Sequence, residues 1–276
     1  MAKTMTVRPS VVAGMFYPGD PDVLRREIKV MLGAAGARKG FAGILGVVAP
    51  HAGYQYSGST AAAGYARLAG SRYPTVVVLA PSHREYFDGA SVYPGDAYET
   101  PLGRIPVNAD LRRRLLEQTP LVTASVEGHR AEHAIEVQLP FLQSVLGDFS
   151  LLPIVLGNQR RDFCFELGGA LAAVLRGEGG LIVASTDLSH YHPALVARKL
   201  DQVFVDDVKR LDPERLMDHL EHGATEACGG GPVVSFLCAL GALGASHLEI
   251  TRQSTSGDVT GDTSAVVGYV SAVAYA

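Results

Sequence analysis

Cysteine is scarce in this 276-residue chain: Cys164, Cys228 and Cys238 are odd in number, far apart and never arranged as C-x-x-C. That excludes a disulfide framework and a four-thiolate zinc site, and it fits a reducing cytoplasm. Charge of one sign is missing too. With 24 Lys and Arg against 28 Asp and Glu, the net charge of −4 is scattered rather than blocked, so there is no footprint for nucleic acid or an anionic membrane. The expected partner is a small molecule, a peptide or another protein. Long apolar runs are also absent. The longest, Pro232 to Ala245, falls short of the roughly 20 residues a membrane helix needs. The stretch Met1 to Tyr17 has one early lysine and a short apolar patch broken by Arg8 and Pro9, without the core of a signal peptide. What is present is an ordinary globular composition, 47% hydrophobic and 19% charged, able to bury a large core. Nothing reads as a linker or a repeat, so one α/β domain over residues 1–276 is expected.

Short apolar, β-branched runs recur at Ile44 to Val48, Thr75 to Leu79, Leu151 to Leu156, Leu181 to Ala184 and Val266 to Val273. Each is bounded by Gly, Pro or Ser and reads as a buried strand. Helical periodicity separates them, over Thr60 to Leu68, Ala109 to Gln118, Arg161 to Leu175, Ala194 to Leu211 and Pro232 to Leu243. Such alternation predicts a three-layer α/β/α arrangement about a mixed, mostly parallel sheet. Leu248 to Gln253 and Val266 to Val273 are joined without a helix, which predicts an antiparallel pair.

Three of these strands end alike. V-V-A-P-H (Val47 to His51), V-V-L-A-P-S-H (Val77 to His83) and I-V-A-S-T-D-L-S-H (Ile182 to His190) each pass from an apolar run into a short polar loop that ends in histidine. Ligands of open α/β sheets bind outside the carboxyl ends of strands, so His51 and His83 are candidate metal ligands. The competing reading is that each imidazole caps a helix or bonds a loop carbonyl. Gly53 in the following loop would admit close approach of backbone or ligand.

Cys228 precedes three glycines and Pro232, at the start of a helix whose N-terminus would favour a thiolate, unless it is a small packed residue like Cys164 and Cys238. Asp187 and His190 in S-T-D-L-S-H read as a carboxylate and a proton-moving imidazole, or as a helix-start device. In E-H-A-I-E-V-Q-L-P, the i, i+4 spacing of Glu132 and Glu136 predicts one carboxylate face of a helix, with Glu132, His133 and Glu136 backing a metal ligand or else facing solvent. Within the same stretch, His129, Glu132 and His133 match H-x-x-E-H, a zinc-peptidase pattern that requires a continuous helix.

Taken in order, G-M-F-Y-P (Gly14 to Pro18), A-P-H-A-G-Y (Ala49 to Tyr54), A-P-S-H (Ala80 to His83), E-H-A-I-E-V-Q-L-P (Glu132 to Pro140), S-T-D-L-S-H (Ser185 to His190) and A-C-G-G-G-P (Ala227 to Pro232) resemble the Memo family over almost the whole chain. The resemblance implies a fold similar to the catalytic subunit of class III extradiol dioxygenases. It also implies a transition-metal site at His51, His83 and Cys228, with Asp187 and His190 in the same pocket and His190 similar to the dioxygenases' acid/base histidine. Tyr17 and Tyr54 would line the entrance. Where those dioxygenases use a carboxylate, this chain has Cys228, which makes the ligand set softer and admits iron(II), copper or zinc; the resemblance to iron enzymes makes iron(II) the expected ion. The resulting expectation is a cytoplasmic, dioxygenase-like oxidoreductase acting on an unidentified small substrate. A second reading is a non-catalytic peptide- or protein-binding module, and a third is the zinc peptidase. Bacterial relatives resemble protein B of the AmmeMemoRadiSam system, which implies radical-SAM and AMMECR-type protein partners.

Overall fold

A computed structural model describes residues 5–36 and 43–276; the first four residues of the N-terminal stretch considered above lie outside it. The strands in chain order are β1 (Val7–Arg8), β2 (Ile44–Ala49), β3 (Thr75–Pro81), β4 (Ala90–Val92), β5 (Ala97–Thr100) and β6 (Gly103–Pro106). They continue with β7 (Val122–Ala124), β8 (Ser150–Leu156), β9 (Leu181–Ser185), β10 (His190–His192), β11 (His247–Thr255) and β12 (Val266–Tyr275). The α-helices are α1 (Pro21–Ala35), α2 (Ser59–Tyr65), α3 (Ala109–Gln118), α4 (Leu139–Leu146), α5 (Arg161–Leu175), α6 (Ala194–Lys209), α7 (Pro213–Glu221), α8 (Gly230–Leu243) and the single turn α9 (Gly257–Thr260).

The large sheet runs β10-β12-β2-β9-β3-β8-β4-β7, with β11 also on β12. Its centre, β2-β9-β3-β8, is parallel. The flanking β12 and β4 pair antiparallel to β2 and β8, and β11 pairs antiparallel with β12 as the helix-free connection requires. Strands β1, β5 and β6 form a separate small sheet.

Helices cover both faces, which is why the central strands read as continuous apolar runs rather than alternating ones. Along β3, Val77 and Leu79 face the layer that contains α5 and α8, while Val76, Val78 and Ala80 face the layer that contains α1, α2 and α4. Each of these five side chains is wholly buried. The periodic helices appear where expected, with α8 starting two residues early so that Pro232 lies inside its first turn. Helices α1 and α7 went unpredicted although both carry readable starts: Asp20 and Asp212 accept N–H groups of the first turn, and a proline follows each cap. Among the described residues no helix is long and apolar enough to cross a membrane.

Parallel pairing brings the strand ends that matter to one edge. Ala49 of β2 is in register with Ser185 of β9, and Pro81 of β3 with Leu156 of β8. The chain therefore leaves β2, β9, β3 and β8 side by side, with β9 between the two strands that lead to His51 and His83.

Candidate metal centre

His51 leaves β2 directly after Pro50, and two contacts hold it from the end of β9. Its backbone N–H donates to the Asp187 carboxylate at 2.8 Å, and its Nδ1 lies 2.9 Å from Ser185 Oγ. Its Nε2 points the other way, 3.1 Å from Cys228 Sγ. Cys228 lies 177 residues further along, and three hydrogen bonds hold its loop in place. Its N–H donates to the Asp187 carbonyl at 3.2 Å, its carbonyl accepts from Gln159 Nε2 at 2.7 Å, and Gln159 Oε1 accepts the Gly231 N–H at 2.7 Å. Gly229 lets this loop touch β9: a Cβ there would stand 2.3 Å from the Ser185 carbonyl. The glycines after Cys228 thus serve packing between loop, strand and helix rather than ligand approach. Gly53 has an ordinary φ of −55° and contacts Phe16 at normal separation, so it answers no close approach.

His83 is the solvent-side member. Its Nδ1 meets Glu132 Oε1 at 2.9 Å, and its backbone N–H donates to Glu132 Oε2 at 2.6 Å. Glu132 also holds His133, whose Nδ1 is 3.1 Å from Oε1, and accepts the backbone N–H groups of His133 and Ala134 at 2.8 and 2.9 Å. Burial alone would raise the Glu132 carboxyl, but hydrogen bonds from His133 and His83 outweigh it and hold the group well below the ordinary carboxylate range. A buried anion therefore orients two imidazoles at once. The ring of His133 stacks on that of His83 with centroids 4.8 Å apart and packs edge-on to that of His51 at 5.4 Å.

The donor atoms of His51, His83 and Cys228 all lie within 4.8 Å of one another. Donors bound ~2.0–2.3 Å from one ion stand roughly 3–4 Å apart, so small rotamer changes would close this set around a transition metal. The donor chemistry fits. His51 is held neutral, well below the ordinary histidine range, first by burial and then by His83 and His133, and neutral imidazole is the ligating form. Burial first, then the Asp187 carboxylate, push the Cys228 thiol up. Its position ahead of α8 does not overcome that burial, so Cys228 becomes a thiolate when a cation displaces its proton. His83, Glu132 and His133 form a second cluster of metal-ligating types. Its short contacts are those of one carboxylate accepting two ring N–H groups, the usual outer support of a metal site.

The other predicted residues are placed differently. Asp187 does not hold His190: its carboxylate is taken by the His51 N–H, and His190 Nδ1 is anchored 2.7 Å from the Leu188 carbonyl. Glu132 and Glu136 share no helical face. Residues 129–135 run through turns and bends, and Glu136 opens a single 3₁₀ turn that leads into α4. Nor is either acid solvated, at 2% and 0% exposure. Glu136 accepts from Arg8 and, at 2.6 Å, from the Tyr17 hydroxyl. The Tyr54 hydroxyl is likewise committed inward, to the Val137 carbonyl at 2.7 Å.

Both tyrosines line a neighbouring cleft of about 630 Å³, together with Phe16, Val30 and Met31, that includes none of the three donors. Phe16 links the two, with its ring 4.7 Å from that of His133. The zinc-peptidase reading of His129, Glu132 and His133 fails, because the segment is not helical and His129 is buried with its Nδ1 2.5 Å from the Tyr98 hydroxyl. Residues missed in the sequence include Gln138 and Gln159, ordinary amides whose partners are supplied by distant strands and loops.

Burial moves Asp187 from 3.8 to about 6, partly offset by the His51 N–H and nearby imidazoles. A folded value above the unfolded one means that the folded chain binds this proton more readily between those two values, so stability falls as pH rises through that window. In chelator-treated protein, Asp187→Asn should therefore be ~1–3 kcal/mol more stable than the unaltered chain at pH 7.5, with the gain gone at pH 4. Urea unfolding at the two pH values checks this. An equal difference at both would show that the carboxylate's charge is not the cause.

A family model described as Memo-like protein matches residues 8–273. The chain is 40% identical over 270 residues to a MEMO1 family protein of Methanosarcina barkeri, covering 97% of this chain and 99% of that one. It is 35% identical over 272 residues to a MEMO1 family protein of Methanothermobacter thermautotrophicus, covering 95% and 98%. To one of Thermotoga neapolitana it is 37% identical over 278 residues, covering 97% and 99%. The crystal structure of an uncharacterized protein, JW3007, from Escherichia coli K12 matches with a TM-score of 0.51 at 19% identity, covering 83% of this chain and 99% of that one. That last likeness concerns the fold alone.

Proposed function

This chain belongs to the Memo-like protein family, and from that premise we propose that it holds one transition-metal ion through His51, His83 and Cys228 and works as an oxidoreductase on a small organic substrate. The observation that carries the proposal is the meeting of two imidazoles from separate strand ends with a cysteine sulfur within 4.8 Å. Iron(II) suits the two imidazoles and follows from the resemblance to non-haem iron enzymes, while the sulfur also suits copper(I) and zinc. When bound, such an ion supplies Lewis acidity and, if iron or copper, a one-electron couple.

The chain's own residues supply the rest. Ser185 and Glu132 orient the His51 and His83 rings from behind. His190, anchored through Nδ1 on a carbonyl, presents Nε2 as the atom that accepts and returns a proton. His133, anchored likewise on Glu132, presents a second such nitrogen beside the ligand rings. Phe16 covers one side of that group and limits water.

Metal analysis and oxygen uptake on anaerobically purified protein test this. The expected result is a single ion per chain that is lost in His83→Ala and kept in His129→Gln, with oxygen consumption that depends on the ion. A folded protein that takes up no transition metal under any condition would overturn the proposal and leave the crevice as a peptide- or protein-binding surface.

A further inference from the structure

The rings of His51, His83 and His133 cluster at the candidate centre, His190 lies near enough to act electrostatically on His51, and all four are anchored through Nδ1. His83 and His133 rest on Glu132 Oε1 at 2.9 and 3.1 Å, His190 on the Leu188 carbonyl at 2.7 Å, and His51 on Ser185 Oγ at 2.9 Å. The first three rest on carboxylate or carbonyl oxygens, which only accept, so those rings carry a proton on Nδ1. His51 is different, because a hydroxyl can donate or accept. Its tautomer depends on where the single Ser185 hydroxyl proton goes.

The neighbours of Ser185 decide that. Its Oγ lies 2.8 Å from the Ala134 carbonyl, which can only accept and so takes the hydroxyl proton. Gln138 Nε2 donates to the same Oγ at 2.8 Å and to the Pro50 carbonyl at 3.0 Å, while its Oε1 accepts from the Tyr65 hydroxyl at 2.7 Å. The amide cannot be reversed, since that would set its oxygen against the carbonyl of Pro50. Ser185, Gln138 and Tyr65 are all wholly buried, so no solvent absorbs a mismatch. With its proton given to Ala134 and one lone pair used by Gln138, Ser185 Oγ has one lone pair left, facing His51 Nδ1.

We propose that Ser185 and Gln138 are positioning residues: together they hold His51 as the Nδ1–H tautomer, so that the Nε2 lone pair faces Cys228 and the ion. The opposite tautomer would put a proton where the ion binds and would leave the buried Ala134 carbonyl without a donor. Its consequence for metal binding rests on the function proposed above, but the proton placement is a property of the chain alone.

The test is a long-range ¹H–¹⁵N correlation spectrum of histidine-labelled, chelator-treated protein at neutral pH, with a metal titration alongside. His51 should show a protonated Nδ1 and an unprotonated Nε2. Ser185→Ala should shift the ring toward the other tautomer and weaken the ion roughly 10–100-fold, the usual worth of an outer partner. Ser185→Thr should restore both, because the hydroxyl remains. If Ser185→Ala does not fold, the spectrum of the unaltered chain still decides. A protonated Nε2 there would overturn the proposal, as would a folded Ser185→Ala that keeps Nδ1–H and full affinity. An Nδ1–H signal in a chain that binds no ion would support the proton placement while overturning the metal centre, so the two failures are separable.

Discussion

Cys228→Ser should lose its transition metal while keeping its fold. The sulfur accepts the Asp187 N–H at 3.3 Å, a role that a serine oxygen can take over, so little structural cost is expected. What serine cannot replace is the anionic soft donor, because a neutral hydroxyl is a poor ligand. Loss of a direct donor should exceed the roughly 10–100-fold attached to outer partners. His51→Ala should lose the ion to a similar degree. Cys228→Asp is the informative companion. It recasts the set as two histidines and a carboxylate, which should keep iron(II) and discard copper(I). Competition against a chelator under anaerobic conditions measures all three variants. Retention of the ion by Cys228→Ser at unchanged affinity would remove the thiolate from the site.

Glu136→Gln should cause the largest loss of stability. Glu136 is wholly buried and receives the Arg8 guanidinium, the N–H groups of Val11 and Val12 at 2.8–3.0 Å, and the Tyr17 hydroxyl. Arg8 is itself only 4% exposed, donates at 2.9 Å to the His129 carbonyl and also to that of Glu132, and stacks over Tyr98. Neutralising Glu136 strands a guanidinium away from water, which typically costs ~3–5 kcal/mol. For a chain of this size that corresponds to a fall in Tm of roughly 6–20 °C. Removing both charges while keeping an acceptor, as in Arg8→Met with Glu136→Gln, should recover much of the loss, because the penalty lies in the unpaired charge and the amide oxygen still accepts from Val11, Val12 and Tyr17. A Tm for Glu136→Gln close to that of the unaltered protein would mean that water reaches Arg8. The pair also staples residues 8–17 to the loop that carries Glu132 and His133, so calorimetry and metal affinity should move together.

Much of the architecture could be read from periodicity. The apolar runs ending at Val48, Leu79, Leu156 and Ala184 became the four central strands, because strands buried on both faces need uninterrupted apolar side chains. The short strands β4, β7 and β10 went unseen, since three residues carry no period. Within the site, proline-ended strands pointed to His51 and His83. The i, i+4 reading of Glu132 and Glu136 misled for a clear reason. That spacing presupposes a helix, and here the Glu132 carboxylate takes the N–H groups of His133 and Ala134, closing a turn instead. Proximity in sequence misled again at Asp187 and His190, where backbone groups proved the nearer partners.

Local order along the chain was enough to say which segments become the central strands, that two imidazoles would stand at strand ends, and that Cys228 would precede a helix. All three depend on neighbours a few residues away. It could not say that a sulfur 177 positions from His51 would come within 3.1 Å of its ring, or which oxygen would anchor each imidazole. Those outcomes depend on β9 inserting between β2 and β3 and on Gln159 tying the Cys228 loop down. Hydrogen bonds between distant segments form only once the sheet has assembled, and they leave no pattern in either segment read alone.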